Sequence, residues 1–463
     1  MSRIMGMRGF LTTSVGATSI GVACAAALAL PLTLPATAVP ARAERTAATG
    51  RVDEAAVPGS TRSLPLVPRA RGLGTAPEQG LYRAGVRHFS LVGVVWDDPD
   101  AELHGRVQVR TRSTVSRAWS GWQDVETHNE EHGADPGTAE RSSGRVRGAT
   151  APLWVGDSDG VDVRVRAAPA AGDRGDPAGG PDSSLPTGLR LELVDPGDEA
   201  PPQGPPADVP RTGGTHTDAT VAAYAANTDL VPYGALEIPQ LGRRDTEQEL
   251  ARLDGGVPRA KPYIGPRPPI VTRRGWGADE SLRESGFIYT KTVKAAFVHH
   301  TASGNNYTCS QAPSVVRSIY RYHVKSMGWR DIGYNFLVDK CGSIYEGRAG
   351  GVAKAVMGAH TLGFNSNSMG IAVIGTYSST KPSAAAVTAV AKLTAWKLGL
   401  FGANPSGKTY LTSGGGNLYP KGKNVRLNVI SGHRDGYATE CPGKRLYAQL
   451  GTARSGAARY QGR

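Results

Sequence analysis

Apolar residues alternate with polar ones in several short runs between residues 80 and 195. The runs are HFSLVGVVW (88–96), GRVQVRTR (105–112), VDVRVRA (161–167) and LRLELVD (189–195). In the last two the alternation is strict, and it puts six side chains on the inner face of their strands: Val161, Val163, Val165, Leu189, Leu191 and Leu193. Such runs, separated by Gly, Asp and Pro clusters, are typical of a half-buried antiparallel sheet. The pattern predicts an all-β, sandwich-like domain over residues 80–195.

The pattern changes between residues 263 and 455, where helical periods alternate with apolar strands. The segments KAAFVHHT, MGIAVIG and VISGH have the composition of buried strands, and YNFLVD with SIYEG predicts a hairpin. SQAPSVVRSIYRYHVKSMG and SAAAVTAVAKLTAWKLGL have the spacing of amphipathic helices. Helices interleaved with strands predict an α/β domain, built on a mixed central sheet flanked by helices.

Two further segments differ in composition from these domains. Residues 196–262 begin PGDEAPPQGPPADVPRTGGT, which is too rich in Pro and Gly to bury a core, so we expect a linker. Residues 1–43 contain early arginines, an apolar stretch interrupted by Pro31 and Pro35, and the small-residue ending Ala41-Arg42-Ala43. That layout predicts an export signal that is cleaved, leaving no membrane span. We therefore expect a secreted, extracellular protein, and a spacer as long as residues 196–262 would suit work at or through a thick cell wall.

The charge of the chain is basic, +13 overall. Removing residues 1–43 takes away Arg3, Arg8 and Arg42 and no acid, which leaves +10. A basic surface favours polyanions such as nucleic acid, a membrane surface or anionic wall polymers, while an arginine-rich genome would produce the same count. The chain has no recognisable nucleic-acid-binding motif, and export argues against a nucleic-acid partner.

Histidine and cysteine are the residues with candidate chemistry. Two apolar strands, AFVHH and NVISGH, end in histidine, and Cys441 follows His433 by eight residues. A catalytic zinc site takes three N, S or O ligands from protein, so two histidines and a thiolate would fit. Cys309 and Cys341 would then be left to pair outside the cytoplasm. The spacing alone is equally compatible with buried histidines that bond to backbone carbonyls.

Several separated motifs carry a family resemblance. VHHTAS, GWRDIGYNFLVD, IYEGRAGG, GAHTLGFNSNSMGIAVIG and SGHRDGYATECPG occur in the order seen in type 2 N-acetylmuramoyl-L-alanine amidases and peptidoglycan recognition proteins. The chain resembles that family over about residues 265–455. The resemblance implies a zinc amidohydrolase that cuts the bond between the muramic acid lactyl group and L-alanine in bacterial peptidoglycan. The alternative is a recognition protein that binds peptidoglycan without cutting it, as do relatives that lack the cysteine ligand.

The resemblance also implies roles for individual residues. His299, His433 and Cys441 match the zinc ligands, and strand alternation would turn His300 to the other face of its strand. Tyr334 matches the tyrosine that faces the scissile carbonyl, and Thr439 matches a position near the ligands that assists catalysis. Four residues match positions that line the muropeptide groove, although core or turn roles would suit them equally: His323, His360, Asn365 and Arg348.

One position departs from part of the family. Ala372 in SMGIAV stands where some relatives carry a glutamate that acts as the base. No carboxylate in the sequence therefore has an obvious role as the general base. The preferred stem peptide, the export route and the role of the β-domain are equally open at the level of sequence.

Overall fold

The structure is a computed structural model that describes residues 58–69, 77–168, 184–198, 218–257 and 260–463. The predicted export signal, residues 1–43, lies outside the described residues. None of the helices in the described part of the chain has both the length and the apolar character needed to cross a bilayer.

Nine antiparallel strands form the first domain. They are β1 (Pro58–Pro65), β2 (Val67–Pro68), β3 (Glu78–Arg83), β4 (Phe89–Trp96), β5 (Gly105–Ser113), β6 (Gln123–Val125), β7 (Gly148–Ala149), β8 (Leu153–Ala167) and β9 (Arg190–Gly197). The order β1-β9-β4-β8-β3-β2 runs through the sheet, with β5 and β6 branching from β8 and β7 from β4. Strand β8 is long enough to pair with β4 near its start and with both β3 and β5 further along.

The predicted inner-face residues lie in one apolar core. The alternating valines of β8 and the leucines at 189, 191 and 193 pack with β4, β5 and Leu81, all at most 5% exposed. The all-β prediction is therefore confirmed. The domain starts earlier than residue 80, because β1 pairs with β9 along its length and β2 pairs with β3. Strand β1, PGSTRSLP, has too little apolar alternation to be recognised as a strand from its sequence.

Residues 218–257, inside the predicted linker 196–262, form regular structure instead. They contain α1 (Asp218–Ala225), β10 (Glu237–Ile238) and α2 (Arg243–Leu253). Ile238 and Leu250 are buried in the core of the second domain, and β10 forms one edge of its sheet. The linker prediction is wrong for this part, because these apolar side chains bury against a neighbouring domain that local composition does not reveal.

The second domain is built on a mixed sheet, as predicted. Its elements are β11 (Ile270–Val271), β12 (Ala295–His300), α3 (Ala312–Arg321), β13 (Phe336–Val338), β14 (Ile344–Glu346), β15 (Ser368–Val373), α4 (Ala384–Leu400), β16 (Lys408–Thr412), β17 (Asn424–Asn428), β18 (Ile430–Gly432), α5 (Lys444–Tyr447) and α6 (Leu450–Gln461). The strand order is β10-β11-β14-β13-β15-β12-β18, and β13, β15, β12 and β18 run parallel. Strands β16 and β17 form a separate hairpin.

Helices cover both faces of this sheet. On one face α4 and α6 pack together over Ala296 and Val298 of β12. On the other face α3 packs over Leu337 and Ala372, and the same apolar cluster includes Leu91 and Val95 of β4. Strand β4 is thus buried on both sides, which explains why its sequence is apolar at nearly every position, with Ser90 as the exception. The two domains form one compact unit through this contact.

A disulfide ties the start of α3 to the sheet. Cys309 lies in a short 3-10 turn, Cys309–Gln311, that leads into α3, and Cys341 lies in the turn between β13 and β14. Helix α3 continues into a π-helical turn, Tyr322–Ser326. Turns of this kind are frequent at functional sites, and this one carries His323.

Candidate metal centre and substrate groove

The adjacent histidines of β12 point to opposite faces of the sheet. Residues 296 and 298 pack on the α4 side, so His300 faces that side and His299 faces the side of α3. The Nδ1 atom of His300 accepts a hydrogen bond from the backbone of Tyr377 at 3.2 Å. His299 is fully buried, with Nε2 3.3 Å from the hydroxyl of Thr361 and Nδ1 directed at Cys441. Alternation along the strand therefore separates the two rings, as the sequence predicts.

Three residues predicted as ligands converge at the ends of two parallel strands. β18 pairs with β12 through Val298 and Gly432, and His433 follows β18 directly. The rings of His299 and His433 lie 4.5 Å apart, centroid to centroid, and the Sγ of Cys441 is 3.7 Å from the Nδ1 of His299. The side chains of His299, His433 and Cys441 thus surround one point.

A fourth ligand candidate comes from the first domain. His132 lies in the loop between β6 and β7, and its Nε2 is 3.9 Å from the Sγ of Cys441. Its ring lies 4.7 Å from that of His433 and 5.3 Å from that of His299. The ligand atoms of His132, His299, His433 and Cys441 all lie within 4.8 Å of one another, and all four residues are buried.

The four residues have the properties of a zinc site. Tetrahedral zinc would hold N and S donors about 3.3–3.6 Å apart. The Sγ of Cys441 lies at similar distances from the ring nitrogens of His299, 3.7 Å, and His132, 3.9 Å. Neither ring nitrogen of His433 has a hydrogen-bond partner among the described residues. The Nδ1 of His132 has none there either. Buried polar atoms normally have partners, so unpaired nitrogens in a ring of donors indicate a group that completes them. The residues present fit a zinc ion.

Burial sets the protonation of these groups. It lowers the pKa of His299 and His433 well below the ordinary histidine value and that of His132 to about 3, so the imidazoles are neutral, the form that binds metal. Burial and the nearby Glu131 carboxylate raise the pKa of Cys441 well above the usual thiol value. A bound cation opposes that effect, since coordination removes the thiol proton.

Tyr334 and Thr439, the two predicted catalytic residues, both border this centre. The ring of Tyr334 lies 5.5 Å from that of His299, and burial raises its pKa well above the usual phenol value. The hydroxyl of Thr439 donates to Glu131 at 2.7 Å and accepts from the backbone of Cys441 at 3.0 Å.

The four residues predicted to line the groove are all buried, at most 6% exposed. The ring of His323, on the π-helical turn, lies 4.4 Å from that of Trp329 at a tilt of 39°, and the ring of His360 lies 5.3 Å from that of His299. Arg348 and Asn365 are paired with acidic residues of the first domain, Glu140 and Asp135. The fold thus brings the predicted groove residues together, and two of them are covered by the β6–β7 loop.

A buried carboxylate lies beside the centre, although not at the position of Ala372. Ala372 pairs directly with His299 across β15 and β12, so that position carries no acid. Glu131 is the buried carboxylate beside the centre, and burial raises its pKa above the ordinary glutamate value. A cavity of about 370 Å³ adjoins the centre and is lined in part by Glu131, His132, His300, Thr439 and Cys441.

The sequence pattern does not predict His132 or Glu131. The signal that could have found them is the run HNEEHGADPGTAERSSGRVRG, a long stretch without apolar periodicity between two strands. Loops of that length inside a compact domain are usually functional. A histidine within one would have been a reasonable ligand candidate.

Comparison with known proteins is consistent with this geometry. A family model described as N-acetylmuramoyl-L-alanine amidase matches residues 289–444. A second model, described as Rv3811 N-terminal galactose-binding domain-like, matches residues 44–186. Peptidoglycan-recognition protein SC2 of Drosophila simulans is 31% identical over 185 residues, which are 40% of this chain and 85% of that protein. The chain belongs to the peptidoglycan-recognition protein and amidase family.

Two further members of the family show how far the similarity extends. The human protein named N-acetylmuramoyl-L-alanine amidase is 30% identical over 249 residues, covering 52% of this chain and 38% of that one. A crystal structure of peptidoglycan recognition protein-LE in complex with tracheal cytotoxin has 30% identity and a TM-score of 0.32, covering 40% of this chain and 92% of that one. The family domain lies in the C-terminal half of the chain and follows a galactose-binding-like β-domain in sequence.

Proposed function

We propose that the protein is a secreted, zinc-dependent N-acetylmuramoyl-L-alanine amidase. Its substrate would be bacterial peptidoglycan, cut at the amide between the muramic acid lactyl group and L-alanine. The observation that carries the proposal is the convergence of His299, His433 and Cys441, three donors suited to zinc, beside Tyr334. The predicted signal and the disulfide support export, because disulfides persist in oxidising compartments.

The chain's own residues would perform the following steps. When bound, a zinc ion in this site supplies Lewis-acid activation of water and of the scissile carbonyl. Tyr334 keeps its proton at neutral pH because its pKa is raised, so its hydroxyl donates to the oxyanion that develops in the transition state. The hydroxyl of Thr439 would hold the substrate next to Cys441, and Tyr334 or a water would protonate the departing amine.

Digestion of purified bacterial walls tests this function. The full chain and His132→Ala, which removes a ring from inside the centre, are each incubated with walls, with and without a chelator. We expect free stem peptides that begin with L-alanine, intact glycan strands, and loss of both products on chelation. Equimolar zinc in the purified protein is the accompanying expectation.

Two outcomes of that digestion would contradict the proposal. Shortened glycan strands would indicate a glycosidase. Binding to walls without products from either protein, and without bound zinc, would indicate a recognition protein that does not cut.

A further inference from the structure

The loop between β6 and β7, residues 126–147, lies over the candidate centre, and we refer to it as the capping segment. It contains no helix or strand and connects two strands of the β-domain. At its far end the backbone of Arg147 donates to Met327. At its near end Glu131 accepts from the backbone of Leu362. The segment is therefore hydrogen-bonded to the second domain near its start and at its end.

Within the capping segment, His132 is the residue nearest the metal ligands. It is 8% exposed, and its ring contacts those of His299, His433 and Tyr334. Its Nδ1 has no hydrogen-bond partner among the described residues and lies 3.8 Å from the Glu131 carboxylate, and its Nε2 lies 3.9 Å from the Sγ of Cys441. A neutral, buried imidazole aimed at three other donors has the chemistry of a ligand.

The number of ligands decides what a zinc site can do. Catalytic zinc sites keep one of four positions for water or substrate, whereas sites with four protein ligands are closed. With His132 in place, the four protein donors leave no position of a tetrahedral site for water.

Three acidic residues of the capping segment form hydrogen bonds with the residues that are expected to hold substrate. Both carboxylate oxygens of Glu140 accept from Arg348 at 2.9 Å, in an ion pair whose side chains are at most 5% exposed. The carboxylate of Asp135 accepts from Asn365 at 2.6 Å and from the backbone of Gly363 at 2.8 Å.

Glu131 adds the third acidic contact by accepting from the hydroxyl of Thr439 at 2.7 Å. The two charged hydrogen bonds between Glu140 and Arg348 are of a bidentate kind that is among the strongest hydrogen bonds in proteins. The segment thus competes with substrate at Arg348, Asn365 and Thr439, and with water at the metal.

We propose that His132 is a fourth metal ligand and that the capping segment is a built-in inhibitor, which must leave the groove before peptidoglycan can enter. The proposal rests on the proposed function of the same site. Opening would leave β4 and β9 packed on α3, and it would draw Ala134 and Val146 of the segment out of that same apolar cluster.

Zinc-edge X-ray absorption on the full-length, zinc-loaded chain tests the ligand set without an assay of activity. The wild-type protein should show three imidazoles and one sulfur, with no oxygen ligand. His132→Ala should show two imidazoles, one sulfur and an oxygen. The cobalt-substituted variant, but not the wild type, should change its visible spectrum on addition of azide.

Ser142→Ala is the matched control, since Ser142 lies in the same segment, is exposed and does not line the cavity beside the centre. It should leave the metal spectra and the hydrolysis rate unchanged. His132→Ala should raise turnover of a soluble muropeptide at least about tenfold, as expected when a favoured closed state is removed.

The outcomes separate the two proposals. Two imidazoles and an oxygen in the wild-type spectrum would overturn closure by His132 while leaving the amidase proposal intact, and this measurement does not depend on how the variant folds. Loss of turnover in a folded, zinc-loaded His132→Ala protein would also overturn it, since His132 would then assist catalysis. Failure to bind zinc in any form would contradict the proposed function itself.

Discussion

At the scale of single residues, neighbours in sequence have unrelated chemical roles. His299 and His300 differ only in the face of β12 that each occupies, yet one ring meets a thiol and three imidazoles while the other meets a backbone amide. The difference follows from the period of two in a strand. Substitutions of His299 and His300 therefore form a matched pair that tests the metal site.

His299→Gln should lose bound zinc, and His300→Gln should retain it. The first change removes a ligand from the centre, whereas the second leaves the metal donors untouched. Metal content measured by mass spectrometry on dialysed protein checks both variants. Zinc retained equally by the two would mean that the ion is bound elsewhere.

Tyr334→Phe should reduce turnover by about 10²–10³, the loss that follows removal of one oxyanion donor in other hydrolases. Zinc content should not change, because Tyr334 is not among the four donors. The rate is measured on a soluble muropeptide in the wild-type and His132→Ala backgrounds. Tyr289→Phe serves as the control, since that hydroxyl is half-exposed and bonds to Gly350. Near wild-type turnover would refute the role of Tyr334.

At the scale of elements, the site depends on how α3 is held against the sheet. The disulfide fastens the turn before α3 to the β13–β14 turn, and the π-helical turn after α3 carries His323. The predicted pairing of Cys309 with Cys341 is present in the structure. It leaves Cys441 as the free cysteine of the described residues, available to a metal.

Replacing Cys309 and Cys341 together by serine should lower the free energy of unfolding by about 3–4 kcal/mol. The bond closes a loop with a sequence separation of 32, and closing such a loop restricts the unfolded chain. Denaturant titration measures the change. Reductant should bring the wild-type protein to the same value and leave the double variant unaffected; equal stabilities before reduction would contradict the expectation.

At the scale of the whole molecule, the two domains share one interface that both supports and covers the centre. The ring of Tyr322 packs against Gly93 of β4, and its hydroxyl donates to the backbone of Thr150 at 3.0 Å. The hydroxyl of Ser326 donates to Glu192 of β9 at 2.8 Å. The β-domain is thus fixed where its β6–β7 loop reaches the ligands.

Gly93→Ala should weaken this docking, because an added Cβ would overlap the ring of Tyr322. Overpacking of this kind costs about 1–3 kcal/mol. We expect a lower midpoint of thermal unfolding and faster tryptic cleavage at Arg141 and Arg145 of the capping segment. Gly85→Ala, where an added Cβ meets nothing within 4 Å, should behave as the wild type. Equal cleavage of the two variants would show that docking does not hold the segment in place.

Much of the second domain and its centre follows from local sequence. Apolar runs located β12, β15 and β18, and histidines at strand ends, with Cys441, indicated the ligands that the fold brings together. The α1–α2 region did not follow, because the burial of Ile238 and Leu250 depends on a domain further along the chain. Strand β1 depends likewise on a partner more than a hundred residues away.

The sequence by itself determined the strand periods, the two faces of β12 and the three donors that neighbour apolar strands, because these depend on spacing within a few residues. Only the tertiary structure decided that His132 joins them and that Glu131, Asp135 and Glu140 cover the groove. Their only local signal is a position in a long loop without apolar periodicity, which does not show what the loop covers. Their role comes from the packing of β4 and β9 on α3, which positions a loop of one domain over the metal centre of the other.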